Sequence, residues 1–137
     1  MTLQADALRK AWLGAGWLGI GLVVFLSLTP APPQVDLGAY TDKWEHLSAY
    51  ALLMWWFCQL QLAPPRRALT GLWIVAMGIA IEFAQRATAT RMFEVSDMVA
   101  GALGVGLGWL LATPRTPNAL RWLQRRLAPA ADNPGGH

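Results

Sequence analysis

The sequence predicts an all-α protein: a four-helix transmembrane bundle followed by a short amphipathic helix. Three observations carry that expectation. Residues 11–35, 47–65, 68–81 and 98–114 hold no charged side chain, and about 20 mostly apolar residues suffice to cross a hydrocarbon core of about 30 Å. With 137 residues, 55% of them hydrophobic and 14% charged, the chain has the length of one domain and the composition of a membrane protein. The ionisable residues gather at the ends of the apolar runs, so residues 1–137 read as a single transmembrane domain.

The first span is expected at about 11–29, after Arg9 and Lys10. A signal peptide is the competing reading. The apolar run exceeds the usual h-region of about 7 to 15 residues, however, and three more apolar segments follow. Pro30, Pro32 and Pro33 open a loop to the second span, about 44–62. Pro64 and Pro65 are expected to make a tight turn into the third, about 68–86, which makes spans two and three an antiparallel pair. The fourth, about 97–112, closes at Pro114 and Pro117. Asp42 with Glu45 fits a capping box at the second span, and Ser96 or Asp97 can cap the fourth. Asn118 can cap an interfacial helix over 118–128, with Leu120, Leu123 and Leu127 on one face and Arg121, Arg125 and Arg126 on the other. Such a helix suits the anionic inner leaflet.

Charge assigns the orientation. Arg9, Lys10, Arg66, Arg67, Arg115, Arg121, Arg125 and Arg126 fall in segments that a four-pass chain places on one side, and the positive-inside bias makes that side cytoplasmic, with both termini. Asp36, Asp42, Glu45, Glu82, Glu94 and Asp97 face outward with Lys43, Arg86 and Arg91. The net charge of +3 is therefore a topological signal, and no nucleic-acid partner is expected.

Small residues suggest tight packing. Ala100, Gly104, Gly108 and Ala112 recur every fourth residue on the last span, as do Ala76, Ala80 and Ala84 on the third, and such ridges let backbones approach where lipid offers no hydrophobic drive. The alanine ridge lies roughly opposite Glu82, so the third helix is expected to touch neighbours on two sides. Trp12, Trp44 and Trp109 suit an interfacial belt, while Trp55, Trp56 and Trp73 suit packing or lipid contact. Cys58, the single cysteine, reads as a small packing residue.

Chemistry is confined to three segments. Asp42, His46 and Tyr50 fall within about 80° of one helical face, descending from the outer surface. Glu82 and Gln85 close the third span, with Arg86 beside them as an interface anchor, and Arg91 to Asp97 lead into the fourth. All three segments end at the same interface. Glu82 stands out, because an acid within a span costs up to about 2.5 to 3.5 kcal/mol and marks a partner or a functional cavity. No ligand pair has a recognised metal spacing, so no metal and no cofactor are expected. Nor is there a serine-nucleophile motif or a phosphate loop.

Asp42-Lys43 with His46 and Tyr50, then Glu82 and Gln85, then Arg91, Phe93 and Asp97 before a glycine-rich helix, resemble the signature of the VanZ-like membrane proteins, named for a teicoplanin-resistance protein. The resemblance covers residues 42–108 and implies a multi-pass protein of the bacterial inner membrane, with glycopeptide resistance linked to the founding member. This chain carries Gly101 where the family often has asparagine. The leading expectation is a non-enzymatic envelope protein in a lipid bilayer whose outer-leaflet pocket binds a polar, lipid-linked or glycopeptide-related ligand through Asp42, His46, Tyr50, Glu82, Gln85, Arg91 and Asp97. Two readings stay open beside it: a membrane-embedded enzyme with His46 and Glu82 as acid and base, and a small transport or assembly subunit. The homo-oligomeric state is likewise open.

Overall fold

The computed structural model describes residues 3–30, 40–60, 63–88, 94–113 and 115–127. The chain folds as five α-helices: α1 (Leu3–Leu28), α2 (Thr41–Cys58), α3 (Pro64–Thr88), α4 (Val95–Leu111) and α5 (Ala119–Leu127). No strand occurs among the described residues. Two helices, Leu3–Leu28 and Pro64–Ala87, are long and apolar enough to cross a membrane, and α4 is a shorter apolar helix. Pro32, Pro33 and Pro114, expected to shape the loops, lie outside the described residues.

Each helix boundary has a local cause. α1 runs unbroken through Arg9 and Lys10 until Pro30, and its last turn closes with Thr29 Oγ1 donating to the Phe25 carbonyl at 2.7 Å. Pro64 and Pro65 do not form the expected turn. They are the first two residues of α3, where a helix leaves its amide hydrogens unused and the fixed proline φ suits the start. The expected caps on α2 and α4 are also corrected. These helices begin earlier than their apolar runs, with Tyr40 and Glu94 at the N-cap positions, so Asp42, Ser96 and Asp97 sit inside the first turn, and neither N-cap side chain makes a capping hydrogen bond. Asn118 does cap α5, its Oδ1 accepting the Arg121 amide at 2.8 Å.

Burial runs against polarity. α2 carries Asp42, Lys43, Glu45 and His46 in its first two turns, yet it is the hub, with Tyr50, Leu53, Met54, Phe57 and Cys58 all buried. α1 is far more apolar and buries only Gly16 and Ile20, leaving Leu18 77% and Phe25 67% exposed. α3 shows the same inversion through Leu69, Leu72 and Phe83.

The closest helix pair is α2 with α4, and glycine makes it so. A Cβ on Gly108 would run into the Ala51 carbonyl and lie 2.9 Å from Met54 Cβ; one on Gly104 would run into the Leu47 carbonyl. The α4 ridge thus lies directly on the α2 backbone. The α3 ridge behaves otherwise. Ala76 and Ala80 are exposed, while α3 buries Ile74, Ile81, Glu82 and Gln85 on its other face; near the alanines its neighbour is α1, whose Trp17 meets Trp73 edge to face with ring centroids 5.5 Å apart.

Two tryptophans tie α1 to α2. Trp12 and Trp56 stack at 3.9 Å with planes 9° apart, and each indole N–H donates to the other residue's carbonyl, at 3.1 and 2.9 Å. α5 folds back on the bundle with Leu120 buried, its ends held by Gln4 donating to the Leu127 carbonyl and Gln124 to that of Ala5.

Candidate functional site

Antiparallel helices bring the start of α2, the end of α3 and the start of α4 to one end of the bundle. There His46, Glu82 and Asp97 each offer a ligand atom within 4.8 Å of the other two. Glu82 and Asp97 are buried, at 2% and 8% exposure. Each comes from a different helix, so their meeting depends on the α2–α4 register.

His46 Nδ1 lies 2.8 Å from the Asp42 carbonyl one turn earlier. A carbonyl only accepts, so Nδ1 carries the hydrogen and Nε2 is left facing Glu82 Oε1 at 3.5 Å. That contact is attractive only when a proton sits on one of the two groups. Glu82 Oε2 also lies 3.5 Å from the Glu94 amide.

Tyr50 lies one turn deeper, its ring parallel to His46 with centroids 6.0 Å apart. Two glycines admit it: a Cβ on Gly78 would sit 2.9 Å from the phenol oxygen, and one on Gly101 3.6 Å from the ring. The approach at Gly78 is the tight one, while a Cβ at Gly101 would make ordinary contact with the ring. The phenol hydroxyl is buried and has no hydrogen-bond partner among the described residues. His46, Tyr50, Glu82 and Asp97 line a cavity of about 10 Å³, room for about one water molecule.

Lys43 closes the cluster at its outer rim. Its Nζ lies 2.9 Å from Glu94 and 3.5 Å from Asp97. The Glu94 carboxylate holds the Lys43 ammonium above its ordinary value, while the Lys43 hydrogen bond, then that of Ser96 at 3.0 Å, holds Glu94 below its own. Beside them an apolar groove of about 300 Å³ runs between α2 and α4, lined by Tyr40, Lys43, Trp44, Leu47, Val99 and Leu103.

Of the residues expected in the site, His46, Tyr50, Glu82 and Asp97 converge. Asp42 enters through its backbone carbonyl, and its side chain does not line the cavity. Gln85 does not line this cavity; it donates to the Ser27 carbonyl at 2.6 Å and staples α3 to the end of α1. Arg91 and Phe93 lie outside the described residues. Lys43 and Glu94 were not singled out by sequence spacing, since their pairing joins positions 51 residues apart. The His46, Glu82 and Asp97 triad is also the grouping that could hold a metal ion, which spacing along the chain does not reveal.

No family model, curated protein or solved structure matches this chain. Function therefore rests on the geometry.

Proposed function

We propose that the chain is a VanZ-like, four-pass protein of the bacterial inner membrane that binds a lipid-linked ligand at the outer end of its bundle. The membrane part is supported by the inverted burial. Only 11% of the apolar window of α1 and 28% of that of α3 is buried, so neither is the core helix of a soluble fold, and a bilayer supplies the missing apolar cover. α2 and α4, with 18 and 17 residues, fall at the lower limit for a crossing. The basic residues at the other end of the bundle support a cytoplasmic assignment for that end and both termini.

The observation that carries the ligand reading is the convergence of His46, Tyr50, Glu82 and Asp97 next to an apolar groove, with Lys43 lining the groove and touching Asp97. A cavity of about 10 Å³ admits no headgroup. A ligand with a polar head at the Lys43 rim and an apolar chain in the groove matches both surfaces. The family resemblance adds glycopeptide-related molecules to the ligands to be tested and glycopeptide sensitivity to the phenotypes to be scored.

One observation favours a second reading, a membrane-embedded enzyme: His46 has its Nδ1 anchored and its Nε2 turned to a buried carboxylate, an arrangement suited to proton transfer. Mass spectrometry of lipids copurifying with wild type, Glu82→Gln and Asp97→Asn tests both. Binding predicts a species lost in the variants while insertion and thermal stability hold. Altered stability with the species retained refutes it, and turnover of an added lipid-linked substrate favours the enzyme.

A further inference from the structure

The other end of the bundle holds a larger cavity, of about 640 Å³, between the ends of α2 and α4, the first turn of α3, and α5. Arg67, Arg115, Arg121 and Arg125 line it, and among the described residues no acidic side chain does. We infer that this is a binding site for a phosphate-bearing anion, the headgroup of an anionic phospholipid or a soluble diphosphate. The inference is independent of the outer-end reading.

Topology alone explains arginines in a loop, but not arginines fixed around a shared cavity. Gln59, 2% exposed, fixes the wall. Its Oε1 accepts the Ala119 amide at 2.9 Å, and its carbonyl accepts Asn118 Nδ2 at 2.9 Å. The connection carrying Arg115 and the helix carrying Arg121 and Arg125 are thereby tied to the end of α2. Buried Leu120 and the two hydrogen bonds to α1 hold the rest of α5. Across the cavity, Arg67 Nη2 donates to the Cys58 carbonyl at 3.3 Å. Its Nε is shielded from solvent and finds no acceptor among the described residues.

Guanidinium forks select the ligand class, because they match phosphate oxygens bidentately and keep their charge at any physiological pH. Four of them around one space favour a ligand with more than one negative charge. Arg126 provides the internal control: it lies 5.5 Å from the Trp122 ring centroid, on the same helix, and does not line the cavity.

The test uses the full chain in zwitterionic detergent, titrated with cardiolipin, phosphatidylcholine and pyrophosphate and read by native mass spectrometry and thermal shift. Wild type is expected to bind at least one of the anions and to prefer it to phosphatidylcholine. Arg125→Gln and Arg67→Lys should each weaken that binding about tenfold, the loss of one charge-assisted hydrogen-bonding arm, while Arg126→Gln changes it less than about threefold. Cardiolipin bound without pyrophosphate identifies the ligand as a lipid, and binding of pyrophosphate identifies the phosphate itself as sufficient. Equal losses in Arg125→Gln and Arg126→Gln would reduce the effect to net charge and overturn the site, as would equal binding of phosphatidylcholine or no binding at all. Arg125 is exposed and caps nothing, so its variant keeps the test decisive if Arg67→Lys unfolds.

Discussion

Gly108→Ala, compared with Gly106→Ala two residues away, measures the α2–α4 contact with the smallest possible probe. In an exposed helix interior the change from glycine to alanine gains up to about 1 kcal/mol, and a Cβ on Gly106 meets nothing within 4 Å. That variant should be neutral or stabilised. At Gly108 the same methyl runs into the Ala51 carbonyl and stands 2.9 Å from the Trp55 amide nitrogen. Those are backbone atoms, which no rotamer change moves aside, so the helices must separate. Overpacking of this kind costs about 1–3 kcal/mol, and because the propensity gain is common to both sites, that cost is the expected difference between them. In a chain of this size it corresponds to about 3–9 °C in the unfolding midpoint. Thermal loss of helical circular dichroism in detergent reads it, with Gly104→Ala as a replicate on the Leu47 carbonyl. Equal shifts for Gly106→Ala and Gly108→Ala would refute the contact.

Trp56→Phe keeps a ring against Trp12 but deletes one of the two reciprocal hydrogen bonds, and should cost about 1 kcal/mol. Trp56→Ala, which also empties the stack, should cost about 3–5 kcal/mol in the same melt. The Lys43–Glu94 pair predicts a pH window. Glu94 is held below its ordinary 4.5, so its contribution is present above that value and fades as pH falls through the folded-state pKa; Lys43 is held above 10.5, so its contribution is present below that value and is lost as pH rises further. The stability gap between wild type and Glu94→Gln should therefore be constant at neutral pH and narrow as pH falls below 4.5, and a gap that acid leaves unchanged would remove the pair from the account.

The helices were legible because uninterrupted apolar runs between prolines leave the backbone few alternatives to helix. Their exact starts were not. Pro64 and Pro65 fit either a turn or the first helical turn, and the sequence does not choose between them; in the structure they open α3. Half of the site was legible for a related reason: His46 and Tyr50 share a face by simple periodicity, and Glu82 declares itself as an acid in apolar surroundings. The bond from Gln85 to the Ser27 carbonyl, 58 residues away, is not legible, because a carbonyl leaves no mark in a sequence. The exposure of Ala76 and Ala80 on α3 is not legible either, since period fixes which residues share a face but not how closely a neighbour packs on it.

The same reasoning explains why each end has its own chemistry. α2 runs from the acid cluster at His46 to the arginine cavity at Gln59, 13 residues or about 20 Å along a helix, and α4 lies on its backbone for most of that distance through glycines that leave no gap. No charged residue lines the helix interface between these ends, where Met54 and Ile74 are completely buried. Buried charge is costly unless paired, so an apolar middle confines ionisable groups to the two rims, one carrying His46, Glu82 and Asp97 and the other the arginines of the larger cavity. The carboxylates at one rim are shared with a histidine and a lysine. At the other rim four arginines, Arg67, Arg115, Arg121 and Arg125, line one cavity, and this difference in charge is why an anion from outside the chain is proposed there and not at the carboxylate rim.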